Sequence, residues 1–240
     1  MGSDSEKMRL NKYLAACGVC SRRDADVYID EGRVLVNGEL PQKGVKVSTE
    51  DLVEVDGKKI GLSGSKTVLA YTKPVGVVCT ERDAHAKRTV IEELGYHKRV
   101  TYAGRLDKDS DGLLIMTDDG DLINAMMKSI HKHEKEYVVR VDRDITEAFL
   151  NKMQKGVYLK ELDVTTRSCK IKKITNDSFD IILTQGLNRQ IRRMCSELGY
   201  EVLSLKRIRV MNIELGDLKT GEYREITGSE KETLYKLAGV

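Results

Sequence analysis

One stretch decides the fold: Gly104-Arg105-Leu106-Asp107-Lys108-Asp109-Ser110-Asp111-Gly112, followed by Leu113-Leu-Ile-Met-Thr117 and Asp118-Asp-Gly-Asp-Leu122. One reading makes it a calcium loop. Asp107, Asp109 and Asp111 fall at the first, third and fifth positions, Gly112 at the sixth and Asp118 at the twelfth. That loop needs a helix on each side, a longer glutamate at its end and a second copy to pair with. Here the flanks, Tyr102-Ala-Gly-Arg-Leu106 and Leu113–Thr117, are strand-like, the last ligand is an aspartate and no copy recurs. The other reading is a strand–loop–strand that presents one carboxylate beside Arg105. In a partly buried cleft such a carboxylate can stay ionised and serve as nucleophile or base. A solvated acidic turn is the plainer alternative, and the residues alone leave it open.

Outward from this loop, strand and helix signals mix. Val68–Tyr71 and Val77–Thr80 flank a Lys73-Pro-Val-Gly76 turn. Thr89 caps a short helix, with Glu92 at the capping-box position and Gly95 behind it. Strands are expected at Arg99–Leu106, Leu113–Thr117, Glu136–Val141, 168–174, 178–184 and Glu201–Val210. Helices are expected at Asp121–Ile130, Thr146–Gln154 and Asn188–Leu198, with Ser229 and Glu232 opening a terminal one. Strands follow strands too often for a doubly wound fold, so the expectation is α+β around a largely antiparallel, mixed sheet flanked by helices.

The first sixty residues form a separate unit. Leu10, Tyr13, Leu14 and Cys17 share a helical face that Gly18 ends. Ser21 opens a second helix, with apolar Ala25, Tyr28 and Ile29, that stops at Gly32. Arg33–Gly38 and Leu52–Gly57 are strands running into Asn-Gly and Asp-Gly turns. The division expected is residues 1–60, a Gly/Ser-rich link at 61–66, and residues 67–240.

The 240 residues carry 41 Lys and Arg against 38 Asp and Glu, so the net charge is only +3, but the charge is uneven. Lys7, Arg9, Lys12, Arg22 and Arg23 make one basic patch, and Arg189, Arg192, Arg193, Lys206, Arg207 and Arg209 a second. A single patch is usually a solvated helix face. Two on a nearly neutral chain favour a polyanionic partner, nucleic acid first. The five scattered cysteines point to a reduced, cytosolic setting. Cys17-Gly-Val-Cys20 lies in a helical apolar pattern and reads as packing, and the His131-Lys-His133 pair as basic surface, so no metal is expected. No apolar run is long enough for a transmembrane helix, and no apolar leader precedes Leu10.

These motifs carry a resemblance. Arg9–Gly38 is similar to the S4 RNA-binding domain, whose helix pair lies against structured RNA. Gly104–Leu122 resembles the catalytic motif of the pseudouridine synthases. Lys73–Gly76 resembles their first motif, His133–Val141 their tyrosine motif and Gln185–Met194 their third. The chain thus resembles the RsuA family of ribosomal RNA pseudouridine synthases along nearly its whole length. His133–Tyr137 and Gln185–Cys195 are similar to its RluF branch, which acts on a hairpin of the large-subunit RNA. The resemblance implies a bacterial, cytoplasmic isomerase that converts one uridine, or a few, in a ribosomal RNA stem-loop, with no cofactor. It implies Asp107 as the essential carboxylate, Tyr137 stacked on the flipped uracil, Arg192 paired with Asp107, and Arg105 near the flipped nucleotide. Ile191 and Leu113 would pack below the base, with core packing as their plainer role. Arg189 and Arg193, with Lys7, Arg9, Lys12, Arg22 and Arg23, would contact the RNA backbone. A monomer is expected, working on rRNA or on an assembling large subunit. An inactive assembly factor on the same scaffold, and the calcium-binding protein, are the competing readings.

Overall fold

The computed structural model describes residues 7–62, 64–80, 88–128 and 133–240. Its contacts divide into two units. The first runs to Thr67 and also takes in Tyr96–Val100 and Asp118–Gly120. The second comprises Val68–Gly95, Thr101–Thr117 and Asp121–Val240.

The first unit begins with β1 (Met8–Arg9), α1 (Leu10–Ala16) and α2 (Arg22–Asp30). The Ser21 side chain accepts the backbone N–H of Asp24, which satisfies one orphan donor at the start of α2. Strands β2 (Val34–Val36), β3 (Lys46–Val47), β4 (Val53–Val55) and β5 (Lys58–Ile60) follow. β3 pairs with β1, and β2, β4 and β5 form an antiparallel sheet. Asn37-Gly38 and Asp56-Gly57 all have positive φ, as tight turns of the primed type require. Leu10, Tyr13, Leu14, Cys20, Ala25, Val34, Val47, Val53 and Val55 make the core. Cys20 is buried and Cys17 partly buried, both are free, and burial pushes the Cys17 thiol up to about 11. These are packing residues.

The second unit contains β6 (Val68–Lys73), α3 (Val90–Leu94), β7 (Thr101–Tyr102), β8 (Asp111–Thr117), α4 (Gly120–Met127) and β9 (Lys135–Val141). Then come α5 (Glu147–Lys155), β10 (Tyr158–Leu159), β11 (Val164–Thr165), β12 (Lys170–Lys173), β13 (Ser178–Leu183) and α6 (Gln190–Glu197). β14 (Val202–Val210), β15 (Ile213–Glu214), β16 (Tyr223–Glu225) and α7 (Gly228–Ala238) complete it. The main sheet runs β12-β13-β9-β14-β8-β6-β16, with β15 on β14 and β7 on β8. Only the β14–β8 pairing is parallel among the described strands, so the sheet is mixed and mostly antiparallel. β8 is apolar and buried through Leu113–Met116, as a central strand covered on both faces must be. β13 alternates, burying Phe179, Ile181 and Leu183.

Two apolar clusters hold the sheet. Val68, Ala70, Leu113 and Ile115 pack with Leu122 of α4 and Leu234 of α7. Val139, Phe179 and Ile181 pack with Phe149 and Met153 of α5 and Ile191 and Met194 of α6. The capping box of α3 is complete: Thr89 accepts from the Glu92 backbone, and the Glu92 carboxylate accepts the Thr89 N–H.

Some sequence expectations are corrected. Val77–Thr80 is not a strand beyond a single bridge from Val78 to Thr89, and the Val77 carbonyl is taken by the Lys73 ammonium instead of a ladder partner. The strand expected over Arg99–Leu106 shrinks to Thr101–Tyr102, because Gly104 adopts a φ of 93° that turns the chain out of the sheet. The helix at Asp121–Ile130 is Gly120–Met127, and residues 129–130 lie outside the described residues, as does His131. The terminal helix opens one residue before Ser229.

Candidate active site

The second unit holds a cleft of about 320 Å³. It is lined by the Gly104–Asp107 loop with Ser110, by Lys135 and Tyr137 of β9, by Leu205 and Arg207 of β14, and by residues 184–192 entering α6.

The loop is built upward from Lys73. This lysine is fully buried, and its Nζ donates to the carbonyls of Pro74 (2.7 Å) and Val77 (2.8 Å). Burial holds its pKa below the ordinary lysine value. The turn it stitches supports the next loop, because the Gly76 N–H donates to the Lys108 carbonyl at 2.7 Å. The Leu106 N–H points at Cys79 Sγ at 3.5 Å, and the Ser110 N–H returns to the Asp107 carbonyl at 3.2 Å. Asp107 is thereby fixed at the cleft with its side chain 38% exposed.

The cations come from the start of α6. Arg189 occupies the N-cap position with a left-handed φ of 50°, and Gln190 Oε1 accepts from the Leu187 N–H at 3.1 Å. Arg189 makes a bidentate pair with Asp109 (3.0 and 2.9 Å), and its Nη1 lies 3.8 Å from Asp107 Oδ2. Arg192 donates to the carbonyls of Asp109 (2.8 Å) and Val202 (3.1 Å) and to Ser110 Oγ (3.4 Å), with its Nε 3.3 Å from the Asp109 carboxylate. The Arg189 hydrogen bonds, then the Arg192 charge, hold the Asp109 carboxyl below its ordinary range. Asp109 had no role from sequence, yet it clamps α6 to the Asp107 loop.

The expected pairing of Arg192 with Asp107 is therefore corrected: Arg192 grips the loop through Asp109 and Ser110, and Arg189 is the guanidinium beside Asp107. Arg193 turns to Asn188 and forms an ion pair with Glu161. Tyr137, Arg105, Ile191 and Arg192 all line the cleft. Leu113 does not: it is fully buried in the core with Val68 and Ile115, and its carbonyl accepts from Arg207 Nε. Sequence reasoning also missed Lys135 and Arg207 as cleft residues. Lys135 precedes Tyr137 by two on β9 and so shares its face, a signal the alternation carried.

The calcium reading is overturned by this geometry. The loop is flanked by β7 and β8, and Asp109 faces two guanidiniums. His133 meets a backbone carbonyl, that of Ala125, at 3.3 Å. In the first unit Lys7, Arg9, Arg22 and Arg23 are exposed and Lys12 is half-buried.

A carboxylate beside an arginine, at a cleft with a tyrosine on its wall and basic margins, can take in a base that leaves the stack of a polyanionic strand. The family model described as RNA pseudouridylate synthase matches residues 67–197, and the S4 domain model matches residues 8–53. The chain belongs to the RNA pseudouridylate synthase family and carries an S4 domain. Among its relatives, the dual-specificity RNA pseudouridine synthase RluF of Escherichia coli (strain K12) is 44% identical over 232 residues, covering 96% of this chain and 79% of that protein. Ribosomal large subunit pseudouridine synthase B of Bacillus subtilis (strain 168) is 36% identical over 96% of each chain. A solved pseudouridylate synthase crystal structure superposes with a TM-score of 0.69 at 28% identity, covering 95% of this chain and 99% of that one. No helix among the described residues is long and apolar enough to cross a membrane.

Proposed function

We propose that this enzyme isomerises one uridine, or a few, in a stem-loop of large-subunit ribosomal RNA, with Asp107 as the essential carboxylate. The observation that supports the reading is Asp107 held at the cleft that Tyr137 also lines, with Arg189 Nη1 3.8 Å from its Oδ2. The reaction breaks the C1′–N1 bond, turns the uracil within the cleft and rejoins it through C5, whose proton goes to water. A stem-loop suits it, because unstacking a loop base costs little. Tyr137 stacks on the extruded base and Ile191 packs against it, while Arg105 and Arg192 lie around the nucleotide. The large-subunit target draws its support from the name of the Bacillus subtilis relative. Residues 1–60 serve as the S4 module, 61–66 as the link and 67–240 as the catalytic part, in a cytoplasmic monomer. The module supplies RNA affinity through Lys7, Arg9, Lys12, Arg22 and Arg23, with Arg189 and Arg193 at the phosphates nearer the cleft.

The test is tritium release from large-subunit transcripts labelled at uracil C5, comparing the wild type with Asp107→Asn. Release by the wild type alone is expected. Release by both would move the chemistry away from Asp107, and release by neither on any ribosomal RNA would favour a non-catalytic assembly factor.

A further inference from the structure

Two cations share the cleft without a carboxylate set against either among the described residues. Arg207 is 2% exposed. Its Nε donates to the Leu113 carbonyl at 2.7 Å and its Nη1 reaches toward the Arg105 carbonyl at 3.4 Å, but its Nη2 is buried with no acceptor. Lys135 lines the same cleft and has no hydrogen-bond or ion-pair partner among the described residues. The strand register sets Arg207 directly across from Tyr137, and Lys135 lies two residues before Tyr137 on the same face. The two positive groups thus flank the aromatic wall. Burial, and then the Arg207 charge, push the Lys135 ammonium down to about 8, so the protein holds this charge at a cost. A buried donor without an acceptor, beside a second desolvated cation, is unfavourable unless the site fills with negative charge during its work.

The nature of that charge follows from depth. RNA phosphates keep to the backbone, within reach of the half-exposed Arg189. A fully buried guanidinium is reached only by a group that leaves the backbone and enters the cleft. We propose that Lys135 and Arg207 form an anion seat for the detached uracil, donating from Nζ and Nη2 to its ring carbonyl oxygens. This rests on the cleft being the uridine site. The electron pair of the C1′–N1 bond leaves with the base and spreads over its ring nitrogens and oxygens. It returns to C1′ as the C5–C1′ bond forms, and the C5 proton passes to water. Both cations therefore act most strongly between the two bonds, where an aligned donor lowers a barrier without tightening substrate binding.

The experiment measures single-turnover tritium release from C5-labelled large-subunit transcript, the Kd for that transcript, and Tm, for the wild type, Lys135→Met and Lys135→Arg. Lys135→Met should slow release by about 10²–10³-fold, the loss typical of one removed oxyanion donor. Its Kd should stay within about twofold and its Tm should hold or rise, because a buried unpaired charge has gone. Lys135→Arg should recover part of the rate. Release by Lys135→Met at the wild-type rate would overturn the proposal. So would a loss carried wholly by Kd, which would mark a phosphate contact, or a Tm drop that Lys135→Arg shares. A wild type that releases no tritium would overturn the uridine-site reading itself, a distinguishable failure.

Discussion

Replacing Gly112 by alanine tests the point at which the catalytic loop joins the sheet. Gly112 is the second residue of β8, paired with Lys73 on one side and with Arg207, in the parallel pairing, on the other. Its φ is +102°, a conformation L side chains rarely adopt. An added Cβ would lie 2.3 Å from the Arg207 carbonyl oxygen and 2.8 Å from the Arg207 nitrogen, both backbone atoms that cannot rotate away. The backbone strain costs about 1–3 kcal/mol, and forcing the strands apart about 1–3 kcal/mol more, so the total is about 2–6 kcal/mol. For a domain of this size each kcal/mol lowers Tm by about 2–4 °C, and the expected drop is on the order of 10 °C. Gly199→Ala is the control. Its φ is +80°, but no heavy atom lies within 4 Å of the added Cβ, so only a strain of about 1–2 kcal/mol applies. Calorimetry on the two variants should show Gly112→Ala falling about twice as far or more. It should also lose most tritium release, since Arg207 and the Asp107 loop shift together. Equal Tm losses, or wild-type release by Gly112→Ala, would refute the close approach of β8 and β14.

Asp109→Asn removes the carboxylate that clamps Arg189 and Arg192. The folded pKa of Asp109 is depressed, so its contribution is present above the unfolded value near 4 and lost as pH falls through the lower folded value. Asp109 is 46% exposed and screened by water, so the effect is at most about 1 kcal/mol. The gap in urea midpoint between wild type and variant should narrow as pH drops from 7 toward 3, and a constant gap would count against the clamp. Thr89→Ala should destabilise the second unit by about 1 kcal/mol, while Thr89→Ser, which keeps the cap, should stay near wild type in the same urea titration. Arg22→Gln and Arg23→Gln should each lower the slope of log affinity against log salt for hairpin RNA by about one, whatever the RNA sequence. A change confined to one RNA sequence would argue against a phosphate role.

Local pattern settled much of this protein in advance. Ser21, Thr89 and Thr146 mark helix starts because a side-chain oxygen and the N–H it accepts lie three residues apart, within reach of sequence reasoning. The Asn37-Gly38 and Asp56-Gly57 turns, the alternation of β13 and the strand character around Asp107 are likewise local. They sufficed for the α+β class, the separate N-terminal unit and the rejection of a calcium loop, whereas Asp107 was singled out by the resemblance to the pseudouridine synthase motif. The close approach of Gly112 to Arg207, ninety-five positions on, was not legible in the sequence. Only the tertiary structure could decide which arginine stands beside Asp107, because Arg189 and Arg192 are neighbours in sequence and the left-handed turn at Arg189 sets their directions. It also gave Asp109 its work, sent Leu113 into the core and set Lys135 and Arg207 around Tyr137. Charges and polar groups pair across strands and helices distant in the chain, so their partners are fixed by packing, whereas caps, turns and strand periodicity are fixed by covalent spacing.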